Sequence, residues 1–208
     1  MNKKSSQIII GISGGSGSGK TYIAKKLIGE YKKGLVSLIN QDSFYKDLSH
    51  LSFNKRAEQN FDEPSAIDFQ LFIQAIKELH IGAQTKIPIY DFSKHIRVNG
   101  FHHIDPTSII IIDGTLIFSQ PQLRDLMHIK IYIDSPDEIR LSRRIKRDIN
   151  ERGRTRESII RQYSGSVRPM FDKYIAPTKK SADIVIDLSQ NKTDPIILIK
   201  NEIDKNLN

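Results

Sequence analysis

The sequence has no cysteine and no long apolar run, and each absence excludes a class of protein. Without cysteine, the chain of 208 residues can form neither disulfides nor thiolate metal sites. Its longest apolar runs, such as residues 109–112, are far shorter than the roughly 18 residues of a membrane span. The apolar stretch at residues 8–12 is too short for the core of a signal peptide. We therefore expect a cytoplasmic protein that does not act at a membrane.

Internal repeats and low-complexity segments are also missing, so nothing in the sequence divides it into separate units. Hydrophobic residues make up 38% of the chain and charged residues 27%, which is ordinary for a globular protein. A chain of this length can bury a sizeable core within one domain. We predict a single domain over residues 1–208.

Short apolar runs alternate with helical patterns along the chain. The runs typical of buried strands lie at residues 8–12, 35–39, 109–112, 129–133 and 184–186. This alternation predicts an α/β fold, with a parallel central sheet and helices on both faces. Two further runs, at residues 86–90 and 96–100, predict a small β-hairpin insertion at about residues 86–107.

Helix boundaries are predicted from capping patterns. Ser65, with Asp68 three residues later, resembles a capping box and predicts a helix that begins there. Ser135 precedes a proline and two acidic residues, which predicts a helix capped by this serine, with the proline at its first position. A further helix is predicted over residues 156–174, broken near Pro169.

A glycine-rich loop follows the first predicted strand and precedes a helix. It fits the pattern G-x-x-x-x-G-K-[ST], in which glycines let backbone N–H groups and the helix dipole point at a phosphate. In this pattern Lys20 reaches the β- and γ-phosphates, and the hydroxyl of Thr21 can ligate Mg²⁺. The predicted ATP-binding loop comprises Gly14, Gly15, Ser16, Gly17, Ser18, Gly19, Lys20 and Thr21.

Two aspartates follow predicted strands, at the edge of the sheet where open α/β proteins bind ligands. Asp113 ends the third apolar run, where it can hold the metal together with Thr21 or can be a turn residue before Gly114. Asp42 follows the second run and is placed to act as a base toward an acceptor hydroxyl. From the residues alone, an ordinary loop aspartate is equally compatible at this position.

Positive charge is concentrated in one segment. The chain has a formal net charge of +8, and eight of its lysines and arginines lie within residues 140–156. Arg140, Arg144 and Arg147 are spaced to share one helix face, where guanidinium groups can offset charge on a transferring phosphoryl group. A solvated basic face is the simpler alternative. Nucleic-acid binding is disfavoured, because no aromatic residues interleave with this segment.

Several stretches together resemble the uridine kinase (uridine–cytidine kinase) family, in the family's order and over nearly the whole chain. The most specific are QDSFYKDL at residues 41–48, PIYDFSKHIR at 88–97 and the arginine-rich stretch at 134–154. The remaining stretches are the glycine loop at 11–21, NFDEPSAID at 60–68, IDGTLIF at 112–118 and residues 162–183. The resemblance implies a P-loop kinase fold with an arginine-rich helical lid at about residues 136–165.

The resemblance also implies a reaction, namely Mg²⁺-dependent transfer of the γ-phosphoryl group of ATP or GTP to the 5′-hydroxyl of uridine or cytidine. It implies catalytic roles for Asp42 as the base and for Lys20 and Arg147 around the phosphates, and it assigns Arg152 to ATP. The residues that it implies for nucleoside binding are Asp62, Tyr90, His95, Arg144, Arg154 and Gln162. It further implies a homo-oligomer, commonly a tetramer, with neither nucleic acid nor a membrane as partner.

Three positions or stretches depart from the family pattern. Asp113 stands where glutamate is usual. Glu63, Ser65 and Ile67 replace the usual histidine, aspartate and phenylalanine of the NF segment. Residues 186–191 replace a usual Ile-Ile-Pro-Gly stretch.

Three rival functions are weighed against this one. The first is a kinase of the same fold that acts on another alcohol, such as a sugar phosphate or pantothenate. The second is a nucleic-acid-binding NTPase, which the basic charge suggests. The third is a regulatory protein that binds nucleotide without catalysis, which the joint presence of Lys20, Asp42 and Asp113 disfavours.

Overall fold

A computed structural model describes residues 7–189 and 194–207 of the chain. Its strands are β1 (Ile8–Gly14), β2 (Val36–Asn40), β3 (Thr85–Asp91), β4 (Ile96–Ile104), β5 (Ile109–Asp113), β6 (Ile129–Asp134) and β7 (Ile184–Asp187). Five of them form a parallel sheet in the order β2-β5-β1-β6-β7, and β3 and β4 form a separate antiparallel hairpin. Residues 1–6, 190–193 and 208 lie outside the described ranges, and residues 190 and 191 are part of the divergent stretch 186–191.

The helices lie mainly between the strands. They are α1 (Lys20–Gly29), α2 (Phe53–Ala57), α3 (Phe69–His80), α4 (Pro121–Arg124), α5 (Asp137–Arg152), α6 (Arg156–Gln162), α7 (Arg168–Met170) and α8 (Pro195–Leu207). Three short 3₁₀ turns cover Gln41–Phe44, Pro64–Ala66 and Ala176–Ser181, and two π-helical turns cover Tyr163–Val167 and Phe171–Ile175. Within the described residues, every helix is too short or too polar to cross a bilayer.

The sheet separates two apolar cores, because alternate strand residues point to opposite faces. On β5, Ile110 and Ile112 face a core that also contains Phe72 and Leu79 of α3. On the other face, Ile109 and Ile111 of β5 belong to a core that also contains Ile23 and Leu27 of α1 and Ile199 and Ile203 of α8. Because both faces are covered, the central strands read as continuous apolar runs, and the predicted α/β fold is confirmed.

The register of the sheet brings its carboxyl ends to one edge. Asp113 at the end of β5 pairs with Asn40 at the end of β2 and with Ile12 on β1. The residues that follow these strands therefore meet in space, although they are far apart in sequence. This edge carries the glycine loop, Asp42 and Asp113.

Two predicted helix starts are wrong. Helix α3 is capped by Asp68, whose Oδ1 accepts a hydrogen bond from the Leu71 amide at 3.1 Å. It does not begin at Ser65, because the Asp68 amide donates to the Phe44 carbonyl at 2.8 Å and a bridge between Tyr45 and Ile67 keeps this part of the chain extended.

Helix α5 begins one residue later than predicted. Pro136, with φ −52° and ψ 147°, occupies the capping position and Asp137 is the first helical residue. The carbonyl of Ser135 is engaged instead by the guanidinium of Arg140. At the other end, Gly153 adopts φ +61° and ends the helix.

The predicted break near Pro169 is also wrong. Helical turns continue from α6 through α7 to residue 175, with a π-turn on either side of the proline-containing α7. Proline lacks an N–H and crowds the preceding turn. The wider π-turns accommodate it without interrupting the helical path.

Candidate active site

The glycine loop connects β1 to α1 and has a backbone that only glycine adopts easily. Gly14, Gly17 and Gly19 have φ of +142°, +79° and +107°. A Cβ on Gly17 would lie 2.2 Å from the Arg140 carbonyl oxygen, and one on Gly14 would lie 2.3 Å from that of Ile133. The loop is therefore confined by strain and by close backbone packing, with its amides beside the N-terminus of α1.

Lys20 lies folded over this loop. Its ammonium donates to the Gly15 carbonyl at 2.9 Å, and the residue is 8% exposed. Burial lowers the pKa of Lys20 from its ordinary value, and the carboxylates of Asp113 and Asp42 act in the opposite sense. The two acids and the lysine thus share one electrostatic environment at the edge of the sheet.

Thr21 and Asp113 meet as the predicted metal site requires. The Thr21 hydroxyl donates to Oδ2 of Asp113 at 2.6 Å. Oδ1 of Asp113 is buried and, among the described residues, has no hydrogen-bond partner. Burial raises the pKa of Asp113, while Lys20 and the Thr21 hydrogen bond lower it. A hydroxyl and a carboxylate oxygen are ligands that Mg²⁺ accepts, so these residues fit the ion.

Metal binding at this point would rest on few protein ligands. Residues 7–189 and 194–207 contain no group of three or more histidine, aspartate or glutamate side chains placed to hold a metal ion. Mg²⁺ is commonly bound through one or two carboxylates together with substrate phosphates and water. The Thr21–Asp113 pair matches that pattern.

Asp42 lies in the 3₁₀ turn that follows β2, close enough to Lys20 and Asp113 to influence the pKa of both. Neighbouring side chains fix this turn. The amide oxygen of Gln41 accepts from the Leu116 amide at 2.7 Å. From the hairpin, Arg97 donates to the Tyr45 carbonyl at 2.9 Å.

Five rings contact one another between the chain after β2 and the hairpin, and we call them the aromatic cluster: Tyr45, Phe61, Tyr90, Phe92 and His95. Phe61 stacks on His95 with centroids 5.0 Å apart and an interplanar angle of 19°. Tyr45 lies 5.4 Å from Phe61 and 5.3 Å from Tyr90, and Tyr90 lies 5.3 Å from Phe92. The cluster joins the loop after β2 to the hairpin.

The aromatic cluster includes polar groups, among them the hydroxyl of Tyr90 and the imidazole of His95. The hydroxyl of Tyr90 is buried without a hydrogen-bond partner in the described part of the chain. Burial raises the pKa of Tyr90 to about 12, so the hydroxyl keeps its proton. Burial also lowers the pKa of His95, and Arg56 adds to this effect. His95 occupies the hairpin turn with φ +54°.

Asp62 lies next to the aromatic cluster and extends the group of acids. Burial raises the pKa of Asp62, opposed mainly by the nearby Arg144. Asp42 raises this pKa further, and a hydrogen bond from Ser166 lowers it. Asp62 is therefore placed between the predicted base and the arginines of α5.

Four arginines of helix α5 and the turn after it form a second group, which we call the arginine cluster: Arg144, Arg147, Arg152 and Arg154. Arg144 donates to the Ser16 hydroxyl at 2.8 Å and to the Gln162 amide oxygen at 3.0 Å. Arg154 donates to the same oxygen of Gln162. All four arginines also contact Asp148.

Arg140 differs from the expectation that it joins Arg144 and Arg147 around a phosphoryl group. Its side chain is buried, and it donates to the Ser135 carbonyl and, at 2.6 Å, to Asp137. Its guanidinium lies 3.7 Å from the ring centroid of Phe171. Arg140 thus packs against the glycine loop at Gly15 and Gly17. Helical spacing predicts which face of a helix a residue lies on, but it does not predict which other segments contact that face.

A family model described as phosphoribulokinase/uridine kinase family matches residues 9–194. The chain belongs to this family. It is 45% identical to a uridine kinase of Streptococcus pyogenes serotype M5 (strain Manfredo) over 196 residues, which are 94% of each sequence. It is 43% identical to a uridine kinase of Streptococcus gordonii over 198 residues, which are 95% of this chain and 94% of the relative.

Solved structures of more distant proteins share the fold of this member of the phosphoribulokinase/uridine kinase family. A putative fructose transport system kinase from Silicibacter sp. TM1040 superposes with a TM-score of 0.69 at 20% identity, over 89% of this chain and 92% of the other. Phosphoribulokinase from Rhodobacter spheroides superposes with a TM-score of 0.64 at 15% identity, over 93% and 75%. At these identities the likeness concerns the fold alone.

Sequence reasoning missed several residues of the site in this family member. Tyr45, Phe61 and Phe92 lie inside stretches that carry the family resemblance, so aromatic residues within those stretches were an available signal. Arg143, whose guanidinium donates to the Ser18 carbonyl at 3.0 Å, carried no separate signal within the basic segment. Asp148 gave none either, since a single acid in a charged helix reads as a surface residue.

Proposed function

We propose that this protein is a nucleoside kinase that transfers the γ-phosphoryl group of ATP or GTP to the 5′-hydroxyl of uridine or cytidine, giving UMP or CMP. The observation that carries this proposal is the position of Asp42. Its carboxylate is close enough to raise the pKa of Lys20 in the glycine loop and that of Asp62 beside the aromatic cluster. The identity of 45% to a relative named uridine kinase supports the same activity.

On the donor side, the glycine loop binds the triphosphate through its amides and the N-terminus of α1. Thr21 and Asp113 would hold Mg²⁺, which when bound offsets the negative charge of the phosphates. Lys20 and Arg147 provide fixed positive charge next to the transferred group. Arg152, from the end of α5, contributes to ATP binding. These preorganised charges stabilise the transition state because they need no rearrangement during the reaction.

On the acceptor side, Asp62 accepts hydrogen bonds from the ribose hydroxyls. The stacked rings hold the base, while Tyr90 and His95 offer hydrogen bonds to its edge. A neutral His95, as its lowered pKa implies, can both donate and accept a hydrogen bond. Arg144, Arg154 and Gln162 form one hydrogen-bonded group that lies between the ribose and the phosphates.

Asp42 performs the proton transfer. As the 5′-oxygen forms its bond to the γ-phosphorus, its proton passes to a carboxylate oxygen of Asp42. The bond between the γ-phosphorus and the bridging oxygen breaks, and ADP or GDP leaves. Helix α5 and the residues after it act as a lid that keeps water from competing as the acceptor.

A cytoplasmic location and a homotetramer belong to this proposal as well. Both are supported by the family to which the chain belongs, and the cytoplasmic location also by the absence of cysteine. Neither nucleic acid nor a membrane is required as a partner. Light scattering of the purified protein should give about four times the mass of one chain, and a monomeric mass would remove the tetramer from the proposal.

The central experiment is an acceptor panel. The pure protein is incubated with ATP and MgCl₂ together with uridine, cytidine, ribulose 5-phosphate or pantothenate, and the products are separated by chromatography. We expect UMP and CMP. Phosphorylation of another alcohol in their place would assign the site to a different kinase of the same fold. Hydrolysis stimulated by RNA and strongly weakened by salt would instead indicate a nucleic-acid-dependent NTPase.

A further inference from the structure

Asp148 lies at the centre of the arginine cluster and is fully buried. Its Oδ1 accepts a hydrogen bond from Nε of Arg147 at 2.8 Å, and Nη2 of Arg147 lies at an ion-pair distance of 2.8 Å from the same oxygen. The other three arginines contact it at ion-pair distances of 3.5 Å for Arg144, 3.8 Å for Arg152 and 3.7 Å for Arg154. One carboxylate therefore faces four guanidinium groups that come from one helix and the turn after it.

Backbone geometry brings the fourth arginine into this group. Gly153 adopts φ +61°, and the amide of Arg154 donates to the Asp148 carbonyl at 3.1 Å. The chain thus turns back over the end of α5. Without that turn, Arg154 would continue away from the carboxylate.

The contacts to Asp148 occupy only some of the N–H donors of the four arginines. Each guanidinium has five N–H donors. At 3.5 to 3.8 Å, three of the four are attracted to Asp148 by charge rather than by short hydrogen bonds. Some of these donors have other partners: Arg144 also donates to Ser16 and Gln162, and Arg154 to Gln162 and Ser158. The side chains of Arg147, Arg152 and Arg154 are 29–37% exposed, so an anion can reach them, whereas that of Arg144 is only 6% exposed.

We propose that Asp148 is a positioning residue that gathers Arg144, Arg147, Arg152 and Arg154 into one arrangement, in which Arg147 and Arg152 bind the triphosphate and Arg144 and Arg154 lie between the phosphates and the ribose. It cannot touch the substrate, because its carboxylate is enclosed by the arginines. It acts by offsetting their mutual repulsion and fixing their directions. This inference rests on the proposed function only in taking a nucleoside triphosphate as the ligand of these arginines.

The proposal and simple electrostatics predict opposite signs for one substitution. Asp148→Asn preserves the shape of the side chain but raises the net charge of this group from +3 to +4. If only net charge mattered, the variant would bind a polyanion more tightly. If Asp148 positions the arginines, binding weakens, because misplacement of about 1 Å can cost up to about 100-fold.

The test is calorimetric binding of the β,γ-imido analogue of ATP with Mg²⁺ to the full chain. We expect Asp148→Asn to weaken binding at least about tenfold and to lower kcat as well. Asp183→Asn is the matched control, because it removes an aspartate paired with Lys130 at 3.0 Å, outside the proposed site. It should leave both quantities unchanged. Equal or tighter binding by Asp148→Asn overturns the proposal.

A second pair of variants covers the case in which Asp148→Asn does not fold, as judged by circular dichroism. Arg152→Gln is compared with Asp148→Asn/Arg152→Gln, whose group has the native net charge of +3. We expect the double variant to bind the ATP analogue more weakly than Arg152→Gln does, and equal or tighter binding overturns the proposal. The binding measurement contains no nucleoside, so it does not depend on the acceptor. If the protein failed to phosphorylate uridine and cytidine, the proposed function would be refuted, but the role of Asp148 in binding the ATP analogue would still be decided by this measurement.

Discussion

The donor and acceptor sides of the site are built in opposite ways. The donor side is a single loop, residues 14–21, whose strained glycines and buried lysine are consecutive in the chain. The acceptor side is assembled from the turn after β2, the loop that carries Phe61 and Asp62, the hairpin and helix α6. A local site fixes one chemical group, here phosphate. An assembled site can be varied piece by piece, so we expect acceptor specificity to reside there.

Asp42 lies where the two sides meet, and its removal should have the largest effect. We expect Asp42→Asn to lower kcat by roughly 10²–10⁴, because it removes the proton acceptor. The far-ultraviolet circular dichroism spectrum and the binding of the ATP analogue should remain native. Turnover within about threefold of wild type would exclude Asp42 as the base.

A single added methyl group should displace the backbone of the glycine loop on the donor side. In Gly17→Ala the Cβ would meet the Arg140 carbonyl at 2.2 Å, so the loop must move and the KM for ATP should rise by up to about 100-fold. Gly34→Ala is the matched control. Gly34 also has a positive φ, of +88°, but a Cβ there meets nothing within 4 Å.

The two variants separate backbone strain from loop geometry. Strain alone costs about 1–2 kcal/mol of folding stability at either glycine. Both should therefore unfold at a lower temperature, while only Gly17→Ala should change the KM for ATP. If Gly34→Ala raised that KM equally, the role assigned to the packing of the loop against Arg140 would be wrong.

A substitution on the acceptor side should change the KM for the nucleoside and leave the KM for ATP unchanged. Phe61→Leu removes the ring that stacks on His95, and stacking of a base on an aromatic side chain contributes about 1–3 kcal/mol. We expect the KM for uridine to rise about tenfold, with the KM for ATP unchanged. Phe101→Leu, at a hairpin position that is 53% exposed, should change neither. A rise in both constants would mean that Phe61 supports the fold rather than the nucleoside.

The smallest expected effect is the pH dependence that His95 gives to the acceptor side. Because burial lowers the pKa of His95 below its ordinary 6.5, the ring stays neutral down to that pH and gains a proton only below it. The KM for uridine should be flat from about pH 8 to 6.5 and rise a few-fold at lower pH. The KM for ATP, measured in the same series, should not share this rise.

His95→Asn removes the titrating ring while keeping the turn, since asparagine tolerates the positive φ of this position. The variant should have a higher KM for uridine throughout and no additional rise at low pH. If the variant kept the acid rise of the wild type, another group would be responsible for it.

The same contrast explains what the sequence could predict. The glycine loop and the two strand-end aspartates follow from short-range rules, because parallel strands bring their carboxyl ends to one edge. The start of α3 could not be predicted in this way. Ser65 and Asp68 both suit a cap, and the bridge between Tyr45 and Ile67, which lie far apart in sequence, selects Asp68.

Asp148 and Arg140 illustrate a second limit. Both belong to a charged helix whose spacing gives the direction of each side chain, but burial depends on what packs there. Asp148 is enclosed by arginines that include Arg154, which the turn at Gly153 brings back to it. Arg140 is enclosed in part by Phe171, which comes from a later turn. Such roles become visible once the fold has brought distant segments together.

The two π-turns around Pro169 make the position of Phe171 depend on the number of residues in this segment. A π-turn holds more residues than an α-turn of the same path, and each residue of an α-helix rotates the next by about 100°. If Gly165 were deleted, every side chain after it would rotate around the helix, and Phe171 would leave the Arg140 guanidinium that it now stacks beneath. The support of the phosphate loop is therefore encoded partly as a count of residues, in a segment some 150 positions away from it.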